Sequence, residues 1–285
     1  MDIGVRSVQR SPDGHPVDAG CPGGAIRSVT RYLVLTLDDP PANTYTHEMM
    51  RQLDDCILRA RFDADVHVII VRGAGEKFFS AGANIKMLNE ADPTWKYYFC
   101  LHANETLNRL GHTPKLVIAA LNGHTVGGGL EVALAADLRV ARRGAGRIGL
   151  PEIALGVLPG TGGTQRLARL IGKGRAIELM ATGRLMSFDD ARDLGVVHEV
   201  WGDDELKGLS FADAVQDYAR QFTPPHKASR AVGRMKRAVQ SGPEAGILEG
   251  LSLERELQQL LFQGEDAKEG LAAHLEKRQP DFKGR

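Results

Sequence analysis

Two glutamates stand out because of what surrounds them. Glu131 closes the run Asn122-Gly-His-Thr-Val-Gly-Gly-Gly-Leu-Glu131, and Glu152 lies in Gly149-Leu-Pro-Glu-Ile-Ala-Leu-Gly-Val-Leu-Pro159. Three consecutive glycines cost conformational entropy, and they make sense where backbone N–H groups must face something bound. A helix starting there adds partial positive charge, which suits a developing oxyanion, and places Glu131 about one turn inside. The same glycines would also serve close packing of helix on strand. Glu152 sits among apolar neighbours, where an unpaired carboxylate is costly, so a raised pKa or a specific partner is expected. Either suits general acid–base work; a helix-capping role or an ion pair with Arg166 is the structural alternative. A third stretch, Phe79-Ser-Ala-Gly-Ala-Asn84, offers small residues and free amides, or simply a turn ending a strand. Two carboxylates preceded by amide donors form a candidate catalytic set.

These residues need a framework, and the apolar periodicity supplies one. Tyr32–Leu37, Val66–Val71 and Lys115–Leu121 read as strands, with Leu138–Ala141 following the helix that Gly127-Gly-Gly129 opens. Between them, Met50, Leu53, Ile57 and Ala60 recur at helical spacing, as do Phe99, Ala103, Leu107 and Leu110. Alternating strands and helices imply crossover units and an α/β core with parallel pairing. Beyond residue 160 the strand signal fades. Helices are expected at about 164–171, 174–181, 188–194 (capped by Ser187), 228–240 and 243–263, with a short last one ending near Arg278. The organisation expected is a loosely structured, turn-rich extension over 1–28, a core over 29–222, and a helical region over 223–285 beyond the linker Phe222-Thr-Pro-Pro225.

Composition narrows the function. Of 285 residues, 42% are hydrophobic, and 36 Lys plus Arg balance 36 Asp plus Glu. A zero formal charge argues against a protein built to coat nucleic acid or acidic membrane. Cys21, Cys56 and Cys100 form no CxxC and no disulfide scaffold, and no stretch reads as a membrane span or secretory signal. A cytoplasmic protein is expected. Gly144-Ala-Gly-Arg-Ile-Gly149 matches GxGxxG but runs into Leu150-Pro151 rather than a helix, so a dinucleotide site is not expected. His102 and Glu105 have ligand types at helical spacing but no second pair, so no metal site is expected.

Together and in this order, these stretches resemble the enoyl-CoA hydratase/isomerase (crotonase) superfamily. The resemblance runs from about Tyr32 to the C-terminus, including Gly264-Glu-Asp-Ala-Lys-Glu-Gly270 and Leu275-Glu-Lys-Arg-Gln-Pro-Asp-Phe282. It implies a spiral of ββα units with a C-terminal helical trimerisation region, and a homotrimer or a homohexamer made of two trimers. It implies an acyl-CoA thioester substrate, with no redox cofactor or metal, coenzyme A being part of the substrate. The amides of Ala83 and Gly128 would form the oxyanion hole. Glu131 would orient and deprotonate water, and Glu152 would exchange the proton at the α-carbon. Lys86 and Lys277 would approach the coenzyme, the latter from a neighbouring subunit. Many superfamily members keep one of these carboxylates or neither; both together imply a hydratase.

Asn84 departs from a frequent Asp and Met87 from a common Glu. Trp95-Lys-Tyr-Tyr-Phe99 is unusually aromatic for a segment bordering the acyl pocket, and would either shape that pocket or pack into the core or a subunit contact. Other acyl-CoA chemistries of the superfamily (isomerisation, decarboxylation, C–C cleavage) remain rivals. A rival of another class is RNA binding through Arg230, Arg234 and Arg237, with Lys227 and Lys236 nearby; a solvated face or subunit ion pairs explain the same residues.

Overall fold

The computed structural model describes Gly4–Arg10, Pro16–Asp18 and residues 31–285. Its strands are β1 (Gly4–Arg10), β2 (Pro16–Asp18), β3 (Tyr32–Asp38), β4 (Val68–Gly73) and β5 (Phe78–Ser80), followed by β6 (Leu116–Leu121), β7 (His124–Val126), β8 (Leu138–Arg142), β9 (Ile148–Gly149) and β10 (Glu199–Trp201). They form two sheets. The larger has the order β10-β8-β6-β4-β3-β1-β2, and the smaller is β5-β7-β9. From β3 to β10 every pairing in the larger sheet is parallel, while β1 runs antiparallel to both β2 and β3.

Each turn of the chain lays one strand in each sheet and then returns through helix. β4 is followed by β5, β6 by β7 and β8 by β9, so ββα units stack into a spiral. The long strands are apolar because both faces are covered: all six residues of β6 are buried. On one side lie His47–Phe62, which buries Met49, Met50, Leu53, Cys56, Ile57 and Ala60, and Pro93–Gly111. Pro93 opens the latter helix at a position where a missing N–H costs nothing, and Asp92 caps it by accepting from the amides of Thr94 and Trp95. On the other side Phe211, Val215 and Ala219 cover Val34, Ile70, Ile118 and Val140.

The expected helices after residue 160 are Gly163–Ile171, Lys173–Thr182, Phe188–Asp193, Ser229–Ser241, Ile247–Phe262 and Glu265–Glu276. Ser187 caps the third through a capping box. Sequence periodicity did not single out β10 or the helix Phe211–Arg220; both are short and depend on the larger sheet for partners. Within the loosely structured, turn-rich extension expected over 1–28, Gly4–Arg10 and Pro16–Asp18 form strands. The reason is long-range: β3 offers a free edge whose backbone groups β1 pairs with. The rest of that segment lies outside the described residues.

The C-terminal helices are fastened to the core at Ser229–Ser241. A Cβ on Gly233 would fall 2.3 Å from the Pro114 carbonyl oxygen, so helix and core meet without a side chain between them. Lys236, in the basic stretch noted above, is buried and paired with Asp137 at 2.7 Å. Among the described residues, no helix is long and apolar enough to cross a membrane.

Candidate active site

The smaller sheet places the site. After β5 the chain turns through Gly82 to Ala83, which forms a parallel bridge with Tyr45. The Tyr45 amide donates to the Gly82 carbonyl (2.8 Å), and the Asn84 amide donates to the Tyr45 carbonyl (3.0 Å). A parallel ladder uses the residues flanking Ala83 in this way, so the N–H of Ala83 itself faces away from Tyr45. Gly82 has φ +89°, and a Cβ there would come within 2.7 Å of the Gly128 nitrogen. The turn carrying Ala83 therefore lies directly against the Gly128 amide.

Gly128 is the first residue of the helix Gly128–Ala135, so its N–H has no acceptor within the helix and stands at the positive end of the helix dipole. The triple glycine also answers to packing. A Cβ on Gly128 would overlap the Tyr45 hydroxyl at 2.0 Å, and one on Gly129 would strike the Ser80 carbonyl at 2.1 Å. The packing explanation therefore holds: the backbones lie close, and the turn carrying Ala83 sits beside the Gly128 amide.

Glu131 lies one turn into the same helix and is 2% exposed. Its Oε1 accepts from the amides of Thr161 (2.8 Å) and Gly163 (2.7 Å), and its Oε2 accepts from the Thr161 hydroxyl. A Cβ on Gly163 would lie 3.0 Å from Oε1, so the loop after Pro159 wraps the carboxylate closely. Thr161 was given no role by sequence reading, although a hydroxyl residue inside a glycine-rich loop was the available signal.

Glu152 opens the one-turn helix Glu152–Leu155. A Cβ on Gly127 would be 3.1 Å from its Oε1, which sets the carboxyl against the entrance of the Gly128 helix. Its Oε2 is buried with no hydrogen-bond partner among the described residues. Burial first, and the nearby Glu131 charge second, push its pKa up to about 7, against a bond from its own backbone N–H. Arg166, the alternative partner, donates instead to the Thr161 carbonyl (3.1 Å) and to Asn108 Oδ1 (2.6 Å).

The aromatic segment divides. Phe99 is buried, stacks on Trp95 at 5.4 Å and meets Tyr45 at 6.1 Å, while Tyr97 and Tyr98 are exposed. Ile153, Leu155, Val157 and Leu158, just after Glu152, are also exposed. Lys86 is exposed and lines a surface cleft with Thr46, Asn84, Met87 and Trp95, a few residues from Ala83. Lys277 stands elsewhere, at the C-terminal end of Glu265–Glu276, rather than in that cleft.

Comparisons with known proteins give the family. The sequence model for "Enoyl-CoA hydratase/isomerase" matches residues 30–285. The chain belongs to the enoyl-CoA hydratase/isomerase family. Similar proteins include a probable enoyl-CoA hydratase of Bacillus subtilis, 37% identical over 88% of this chain and 95% of the relative. A 2,3-dehydroadipyl-CoA hydratase of Escherichia coli is 36% identical over 90% and 96%. Among solved structures, an enoyl-CoA hydratase from Geobacillus kaustophilus superposes with a TM-score of 0.86 at 45% identity, covering 90% of this chain and 95% of that one. The expected crotonase fold is therefore the observed one.

Against the crotonase pattern, Asn84 proves to be a helix cap. Its Oδ1 accepts from the Met87 amide (3.0 Å), and its Nδ2 donates to the Thr44 hydroxyl (3.3 Å). An Asp could not make the second bond when ionised. The GxGxxG stretch of this crotonase runs into β9. No group of three or more His, Cys, Asp or Glu residues placed to hold a metal occurs among the described residues.

Proposed function

We propose that this protein is an enoyl-CoA hydratase, adding water reversibly across the α,β double bond of an acyl-CoA thioester. The observation that carries the reading is the meeting of two glutamates of unlike environment beside the Ala83 and Gly128 amides. In this reading the two amides hold the thioester oxygen. Electron density drawn onto that oxygen makes the β-carbon electrophilic and stabilises the enolate formed after attack. Glu131, met by three donors, takes the proton of the attacking water. Glu152, its pKa pushed up to about 7 and its carboxyl therefore mostly protonated only below neutral pH, delivers a proton to the α-carbon; in dehydration the ionised group removes it. One O–H bond of water and the π bond between the α- and β-carbons break, and C–O and C–H bonds form. Glu131 gains a proton as Glu152 gives one up, and no electrons are exchanged with a cofactor.

Lys86 and Lys277 are assigned to the coenzyme, Lys277 from a neighbouring subunit of a cytoplasmic homotrimer or homohexamer. Exposed apolar side chains on the last helices, among them Met235, Val239, Ile247 and Leu248, support such an assembly. The relatives named above support the enoyl-CoA class of substrate.

The test is loss of enoyl thioester absorbance with crotonyl-CoA, followed by mass spectrometry, then the same assay on longer, branched and cyclic enoyl-CoAs. A product heavier by one water is expected. Turnover to an isomer or a cleaved acyl-CoA, with no hydrated product from any of these substrates, would replace the hydratase reading with isomerase or lyase chemistry.

A further inference from the structure

The loop holding Glu131 is itself held by a side chain from a distant part of the chain. Tyr45 is buried, and its hydroxyl lies 3.2 Å from the Thr161 hydroxyl oxygen. The Thr161 hydroxyl spends its one proton on Glu131 Oε2, so only lone pairs remain for Tyr45, and the Tyr45 hydroxyl must be the donor. A directional chain results: Tyr45 O–H to Thr161, Thr161 O–H to Glu131. Burial foremost, and the Glu131 charge next, raise the Tyr45 pKa above its ordinary value, so the first proton of the chain stays in place.

Tyr45 also touches both halves of the candidate oxyanion hole. Its backbone brackets Ala83 through the bonds to Gly82 and Asn84, and its hydroxyl occupies the space where a Gly128 Cβ would be. Tyrosine combines that reach, on an apolar ring suited to the buried site, with a terminal donor. A leucine or phenylalanine would fill the same cavity and leave Thr161 without its second bond.

We infer that Tyr45 is a positioning residue for the reaction, acting through Thr161 to fix the Glu131 carboxylate relative to the two amides. The inference rests on the reading of Glu131 as the group that activates water. Its role is orientation rather than proton transfer. A chain of two oriented hydroxyls restricts the carboxylate to one rotation, and small misplacements of a reacting group are expensive in rate.

The experiment compares Tyr45→Phe, Thr161→Val and Thr161→Ser with the wild-type chain in steady-state hydration of the best enoyl-CoA substrate. For Tyr45→Phe and Thr161→Val, kcat should fall about tenfold to a hundredfold with KM nearly unchanged. Thr161→Ser keeps the hydroxyl and should restore most of the rate. The double variant Tyr45→Phe/Thr161→Val should be little slower than Thr161→Val alone, because both cut one chain. Thermal unfolding of each variant separates these effects from loss of fold. Wild-type kcat in Tyr45→Phe, or fully multiplicative losses in the double variant, would overturn the inference. Failure of the underlying reading looks different: Glu131→Gln would then retain full hydratase turnover.

Discussion

Glu131 and Glu152 are the same side chain in opposite settings. Glu131 is almost wholly buried, yet both of its oxygens meet donors, from Thr161 and Gly163, which suits a carboxylate that can only accept. Glu152 is half-buried, has one oxygen without a partner, and faces the charge of the first. Burial alone therefore does not decide how a carboxyl behaves; the donors brought to it do. In the proposed mechanism this difference assigns Glu131 as the base and Glu152 as the acid of hydration. The glycines enforce the contrast, since Gly127 leaves room for Glu152 and Gly163 leaves room for Glu131.

The sharpest way to break the comparison is to neutralise each group in turn. Glu131→Gln and Glu152→Gln should each lower kcat on the order of 10²–10⁴-fold, with CoA binding retained by calorimetry. Full activity in either variant would remove the two-carboxylate mechanism. The next largest effect concerns pH. With Glu152 titrating near 7, hydration kcat/KM should fall as pH rises through about 7, because the required acid is lost. Dehydration kcat/KM should follow the same profile, because the reaction takes up no net proton and the ratio of the two values must equal a pH-independent equilibrium constant. Dehydration uses the same net protonation of the pair, with the proton on Glu131 instead of Glu152. Rate profiles in both directions measure this, and profiles that stay flat through about pH 7 would mean that Glu152 is not the group exchanging the α-proton.

The smallest effect is on stability. A carboxyl raised from 4.5 to about 7 by folding binds a proton in the native state that the unfolded chain has already released. Stability contributed by this site is therefore present below pH 4.5 and is lost as pH rises to about 7. Glu152→Gln carries no such penalty, so its melting temperature relative to wild type should climb across that window and level off above it. A difference that stays flat with pH would mean that the environment of Glu152 does not perturb it.

Much of this was legible before any coordinates. Long apolar runs such as Val68–Val71 and Leu116–Leu121 carry their own evidence of burial, and the stripe Met50, Leu53, Ile57, Ala60 marks a helix by its period. The strands of the smaller sheet were not legible, because two or three residues contain no period to read. The helix Phe211–Arg220 became necessary only once the larger sheet had a second apolar face to cover.

The site divides along the same line. Residue type and neighbours were enough to mark Glu131, Glu152 and the glycine-rich stretches, since charge among apolar residues and consecutive glycines are costly unless used. Sequence alone contained nothing to set Tyr45 apart from any other core aromatic, nor to say which glutamate would find donors. Those outcomes depend on contacts between residues far apart in the chain, such as Tyr45 with Thr161 and Gly127 with Glu152. Hydrogen bonding and desolvation act over a few ångströms of space, and only the folded spiral decides which residues share them.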